Sequence, residues 1–98
     1  MNDRRSRLEV YVDILDLISN GEMIPTRIMY GANLSWKPLQ YMLKELETHE
    51  LIAECASDDW NNRTKKAYKV TDKGVKVLQY FNKAKKLVKM EIPPQIRD

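Results

Sequence analysis

Apolar residues fall at helical spacing in separate stretches of the chain and turn to strand-like runs between them. Leu8, Val12, Leu15 and Ile18 recur at four- and three-residue steps, with Tyr11 and Ile14 widening the stripe, which predicts a helix over about residues 4–19. Asn20-Gly21 ends it, because both residues tolerate the left-handed backbone that closes a helix. Glu22, Met23 and Ile24 suit a very short strand. Pro25 opens a second helix through about Gly31, since proline fits a first turn without losing a hydrogen bond. Asn33, Leu34 and Ser35 form a turn, and Ser35 is placed as the N-cap of a third helix, with Pro38 still in its first turn. Leu39, Met42, Leu43 and Leu46 are the apolar stripe of that helix. Residues 51–55 read as a strand, 57–62 as a turn and 64–70 as a returning strand. Thr71 caps a last helix, with Asp72 well placed against the helix dipole. That helix runs to about Met90, before Pro93-Pro94 imposes an extended tail.

Helix, helix–turn–helix, two-stranded hairpin, helix is the order of a winged helix, an α+β fold that is mostly α. It sets one helix and one hairpin side by side, where they can straddle a DNA groove. Residues 1–70 are expected to form the winged helix-turn-helix domain, 71–91 a C-terminal coiled-coil helix and 92–98 the tail. In the last helix Val77, Phe81, Ala84 and Val88 follow a 4-3-4 spacing, with Tyr80 and Leu87 broadening the seam. Val75 and Leu78 point elsewhere and are expected to pack on the winged domain. A helix with two apolar faces needs two partners, and one of about 30 Å would protrude from so small a domain. Self-pairing as a homodimer through Val77, Tyr80, Phe81, Ala84, Leu87 and Val88 answers both needs.

Composition narrows the class. At 98 residues the chain is one domain, and 43% hydrophobic with 32% charged residues is ordinary for a folded protein. No apolar run approaches the roughly 20 residues of a membrane span, and MNDRRSRLEV lacks the apolar centre of a signal peptide. A cytoplasmic protein is therefore expected. The single cysteine, Cys55, excludes an internal disulfide and a Cys-rich zinc site, and reads as a small core residue. Net charge is only +3, yet residues 61–89 carry ten Lys or Arg against one acid, Asp72. Such asymmetry points to a polyanionic partner, against the plainer reading of a solvated lysine-rich helix.

Position within the fold selects the candidate contacts. Opposite the stripe of the third helix lie Lys37, Gln40, Tyr41, Lys44 and Thr48. Lysines reach phosphates or guanine edges, Gln40 can pair bidentately with adenine, and Tyr41 can touch backbone or a thymine methyl. Glu45, Glu47 and Glu50 follow on the same helix, so only its first half, up to Lys44, suits DNA. In the hairpin, Arg63, Lys65 and Lys66 can hold phosphates, whereas Asp58 and Asp59 oppose insertion into a groove; Trp60 is expected at the base of the wing. Catalysis has no foothold. His49 reads as an exposed helix end, and no Gly-rich loop, HExxH or paired carboxylate spacing occurs. No enzyme activity, cofactor, metal or small-molecule ligand is expected.

TRIMYGANLS (26–35), the Leu51-Ile52 pair after the third helix and YKVTDKG (68–74) resemble a family of small archaeal winged-helix DNA-binding proteins. These are the Sulfolobus "ten-a" type of proposed chromatin proteins and their relatives among ArnR-like regulators. The resemblance covers about residues 5–90. It implies a homodimer joined by an antiparallel coiled coil of the last helices, binding double-stranded DNA with limited sequence preference. By position it implies a recognition helix at 35–49, a wing at 53–68 and a dimer helix at 72–90. The combined expectation is a dimeric chromatin-associated protein or transcriptional regulator. Ser35, Trp36, Lys37, Gln40, Tyr41 and Lys44 would approach the major groove, Arg27 the adjacent phosphates, and Arg63, Lys65 and Lys66 the backbone. The competing class is a protein-interaction module using the winged fold and the exposed last helix.

Overall fold

The computed structural model describes residues 5–56 and 66–91, with side chains as far as Leu87. Four helices and one hairpin follow in the order α1 (Arg7–Ser19), α2 (Pro25–Ala32), α3 (Trp36–Thr48), β1 (Ile52–Ala56), β2 (Lys66–Val70) and α4 (Asp72–Glu91). The first helix begins at Arg7 rather than at residue 4 because Ser6 and Glu9 form a capping box. Glu9 N–H donates to Ser6 Oγ at 3.1 Å, and Ser6 N–H donates to Glu9 Oε1 at 2.8 Å.

The core is built around α1. Val10, Val12, Ile14, Leu15 and Ile18 are all buried, whereas Leu8 is 56% exposed. The expected stripe was therefore too narrow on one side and too long at its start. Helix α1 packs against α2 and β2 as well as α4, so it buries a wider arc than one partner would cover, and its first turn lies beyond that cover. From α3, Leu39, Leu43 and Leu46 are buried with Met42 half-buried beside them. A Cβ on Gly31 would lie 2.9 Å from Leu17 Cδ2, which marks a close approach of α2 to α1.

Three helices end with the same pair of backbone hydrogen bonds, in which the left-handed residue and its successor reach back into the last turn. After α1 these run from Gly21 to Ile18 (3.1 Å) and Glu22 to Leu17 (2.9 Å); after α2, from Asn33 to Tyr30 (3.2 Å) and Leu34 to Met29 (3.1 Å). After α3 they run from Glu50 to Glu47 and Leu51 to Leu46, both at 2.9 Å. The left-handed positions are Gly21 (φ 107°), Asn33 (φ 58°) and Glu50 (φ 62°).

The hairpin is antiparallel, with Ile52 opposite Val70 and Cys55 opposite Ala67. Strand β1 starts one residue later than expected because Leu51 is engaged in closing α3. Residues 22–24 form no strand, but the Met23 carbonyl accepts from Tyr68 N–H at 3.0 Å. Strand β2 is thereby held on both edges, and Ala67 and Tyr68 are both buried. Strand β1 is the outer one, and burial falls off along it from Ile52, so Cys55 is half-buried rather than a core residue. The expected turn at 57–62, with Asp58, Asp59, Trp60, and Arg63, Thr64 and Lys65 after it, lies outside the described residues.

Helix α4 starts where α3 stops. Thr71 Oγ1 donates to the Glu50 carbonyl at 2.6 Å and accepts from Gly74 N–H at 3.1 Å. Thr71 N–H donates to the Leu51 carbonyl at 3.1 Å, and Lys73 Nζ to the His49 carbonyl at 3.0 Å. A Cβ at Gly74 would collide with the Leu51 carbonyl oxygen, so glycine is required for this approach. Leu78 is buried as expected, but Val75 is 40% exposed, because α4 turns its neighbouring positions, Gly74 and Leu78, inward. Val77 and Phe81, two members of the expected dimer seam, are half-buried against this domain's own core. Tyr80, between them, and Ala84 and Leu87, beyond them, are exposed, while the Val88 side chain lies outside the described residues. The longest dimension is 51 Å and the radius of gyration 15.1 Å, against about 13 Å for a compact domain of this length.

Candidate nucleic-acid interface

Helix α3 presents one continuous polar face. Lys37, Tyr41, Lys44 and Thr48 recur at steps of four, three and four, all exposed, with Gln40 beside them. Ser35 occupies the N-cap position, with φ −78° and ψ 164°, but its side chain makes no capping hydrogen bond. The expected side-chain cap is thus absent, and the Ser35 hydroxyl is exposed at the helix start. Trp36 follows at 46% exposure. Such a face can donate to phosphate oxygens and meet base edges.

The acids of α3 stand on its flanks. Glu45 faces α1: the Tyr11 phenol is pushed up from its ordinary value first by burial and then by Glu45. His49 Nε2 lies 3.8 Å from Glu45 Oε1, and His49 is exposed at the C-cap as expected. Glu47 faces the sheet, where burial, then Glu47 and Glu54, raise the Tyr68 phenol. Glu47, Glu50, Glu54 and Asp72 line a groove between α3, β1 and the start of α4, with Lys73 alone opposing them. Because the carboxylates lie to either side, the exposed face continues past Lys44 to Thr48, further than the order of residues alone implies.

One contact was not legible in the sequence. The Arg7 guanidinium lies over the Tyr41 ring, 5.9 Å from its centroid, and so joins α1 to the face of α3. Arg7 is exposed, whereas Arg5 behind it is tied down, with Nη1 2.8 Å from Asp13 Oδ2 and Nη2 donating to the Ala32 carbonyl at 2.7 Å. The Ser6–Glu9 capping box could have located Arg7 in a first turn; nothing local points to Tyr41. Tyr30 on α2, 78% exposed, was likewise missed. Arg27 is exposed on α2 and Lys66 at the distal end of β2, opposite Ala56. The structure therefore gathers Lys37, Gln40, Tyr41 and Lys44 with Arg7, and leaves Arg27 and Lys66 on separate elements. Arg63 and Lys65 lie outside the described residues. Among the described residues no group of His, Cys, Asp and Glu could hold a metal ion, and no helix is long and apolar enough to cross a membrane.

Comparison with known proteins agrees with this architecture. The chain is 34% identical over 74 residues to the uncharacterized protein MJ0287 of Methanocaldococcus jannaschii, covering 76% of this chain and 67% of that one. It is 28% identical over 85 residues to MJ0290 of the same archaeon, covering 87% of this chain but only 36% of that one. Among solved structures, a single-site mutant of Lactococcus lactis ZitR superposes with a TM-score of 0.70 at 19% identity, over 92% of this chain and 63% of that chain. A mutant of MepR from S. aureus gives 0.64 at 13% identity, over 94% and 69%. These two likenesses are of fold. The winged helix-turn-helix family profile matches residues 4–89, nearly the whole chain, and the chain belongs to that family.

Proposed function

We propose that this protein binds double-stranded DNA as a homodimer, as a chromatin-associated protein or a transcriptional regulator. The observation that carries the reading is the exposed α3 face of Lys37, Gln40, Tyr41 and Lys44, flanked by Arg7, in a family built on a helix–turn–helix. Helix α3 enters the major groove, with Ser35 and Trp36 leading, and Arg27 contacts adjacent phosphates. Arg63, Lys65 and Lys66 hold the backbone from the wing. The antiparallel pairing of the "ten-a" type and its limited sequence preference belong to the same proposal, as does a cytoplasmic, nucleoid-associated location. The exposed Tyr80, Ala84 and Leu87 supply the pairing surface on α4.

Duplex affinity measured against salt tests it. With roughly 6–10 phosphates neutralised, binding should weaken about 10³–10⁵-fold between 50 and 200 mM salt. A flat response would overturn the proposal. Selection of bound sequences from random duplexes then separates the two roles, a sharp motif indicating a regulator and a shapeless pool a packaging protein. The protein-interaction alternative rests on the same exposed apolar residues of α4; a stoichiometric protein partner without measurable duplex binding would establish it instead.

A further inference from the structure

We infer that Arg5 is a positioning residue for the nucleic-acid interface: by tying the start of α1 to the turn before α3, it holds Arg7 over Tyr41. This role rests on the duplex binding proposed above, in which Arg7 flanks the α3 face.

The first turn of α1 has little to fix it. Ser6, Arg7, Leu8 and Glu9 are all exposed, and burial begins at Val10. The Ser6–Glu9 capping box closes this turn on itself. It sets the shape of the turn but not its place against the other helices. Arg5 supplies bonds that do. Its Nη1 donates to Asp13 Oδ2 at 2.8 Å, two turns further along the chain, and its Nη2 to the Ala32 carbonyl at 2.7 Å. Ala32 is the last residue of α2; Asn33 follows in the left-handed conformation, and Ser35 and Trp36 open α3.

A guanidinium suits this place. The last turn of α2 carries no basic residue of its own, so Arg5 brings to its carbonyl end the cation that a helix C-terminus favours. The planar fork sends one nitrogen to each acceptor, in fixed relative directions. Two residues on, the Arg7 guanidinium lies 5.9 Å from the Tyr41 centroid. A displaced first turn would carry Arg7 away from Tyr41, while Leu39, Leu43 and Leu46 keep α3 seated in the core. Asp13 therefore aids duplex binding through Arg5, although its own charge opposes a polyanion. That opposition of sign separates positioning from plain electrostatics.

The test is Asp13→Ala, which removes the acceptor and leaves a good helix former, with circular dichroism confirming the fold. On charge alone, losing an acid should tighten duplex binding. Through Arg5 it should instead weaken binding about fivefold at 0.15 M salt and lower the slope of log affinity against log salt by about 0.9, one phosphate contact's share. Added to Arg7→Ala, it should cost little more, because both changes remove the same contact. Equal or tighter binding, or losses that add in the double variant, would overturn the role. NMR of the free protein checks the placement without DNA. In Asp13→Ala the Tyr41 ring resonances should move toward their positions in Arg7→Ala, with the Leu39 and Leu43 methyls unmoved. Unshifted Tyr41 signals would overturn the placement of Arg7 by Arg5. A wild type that binds no duplex would instead overturn the function proposed above, and the NMR result would still decide the placement.

Discussion

At the scale of single residues, Glu50 carries the clearest stability consequence. Its φ of 62° closes α3 in a conformation that glycine adopts without a Cβ penalty, and its side chain is exposed. Only its backbone is used, the carbonyl accepting from Thr71 Oγ1. Glu50→Gly should therefore stabilise the fold by about 0.5–1 kcal/mol, read as a higher urea midpoint with an unchanged m-value. Residue roles were the least legible from sequence. Leu8 matches the helical period, yet it is exposed while Val10, off the stripe, is buried. Periodicity reports that a helix has an apolar side; it does not report how many neighbours will press on it. The Arg7–Tyr41 contact joins residues far apart in the chain, and spacing rules reach only a turn or two.

Elements were read far better, because their signals are local. Gly21 and Asn33 mark the ends of α1 and α2 as their tolerance of positive φ implies, and Pro25 and Pro38 lie in first turns. Helix α3 ends at Thr48, within the expected 35–49, and its left-handed closing residue is Glu50 rather than a glycine. In α3 the apolar stripe and the opposite polar face both stand as expected, while the flanking position of Glu45 and Glu47 needed the neighbours α1 and β2 to be seen. If Arg7 works together with this face, Arg7→Ala and Lys37→Ala should each lower the slope of log affinity against log salt by about 0.9. Loss in affinity at one salt concentration with an unchanged slope would mean that Arg7 only braces Tyr41.

For the whole molecule, the exposed large apolar side chains are spread over several elements: Leu8 on α1, Met23 before α2, Tyr30 on α2, Trp36 and Tyr41 on α3, and Val75, Tyr80 and Leu87 on α4. The apolar spacing of α4 was plain in the sequence, but its division was not. Val77 and Phe81 pack on their own domain, and of the expected seam Tyr80, Ala84 and Leu87 stay exposed. Phe81→Glu should accordingly destabilise the isolated domain by about 2 kcal/mol or more, through a charge placed against the core. Leu87→Glu should leave it within about 0.5 kcal/mol of wild type. Urea melts at concentrations too dilute for pairing check both values, and equal losses would mean that the distal half of α4 is part of the domain after all.

The junction of α3 with α4 has a mechanical meaning. Three successive carbonyls, of residues 49, 50 and 51, are gripped by Lys73 and Thr71, so the two helices meet as a welded corner. The roll of α4 about its own axis then sets the azimuth at which Lys37 and Lys44 project. In the proposed dimer, two such corners joined along α4 would make an angular gauge, its setting held in the length of the rod rather than in any residue facing a duplex. One residue inserted after Asn82 would turn one arm by about 100° and lengthen it by about 1.5 Å. The two α3 helices would then be out of phase with successive turns of the same duplex, with every contacting side chain intact.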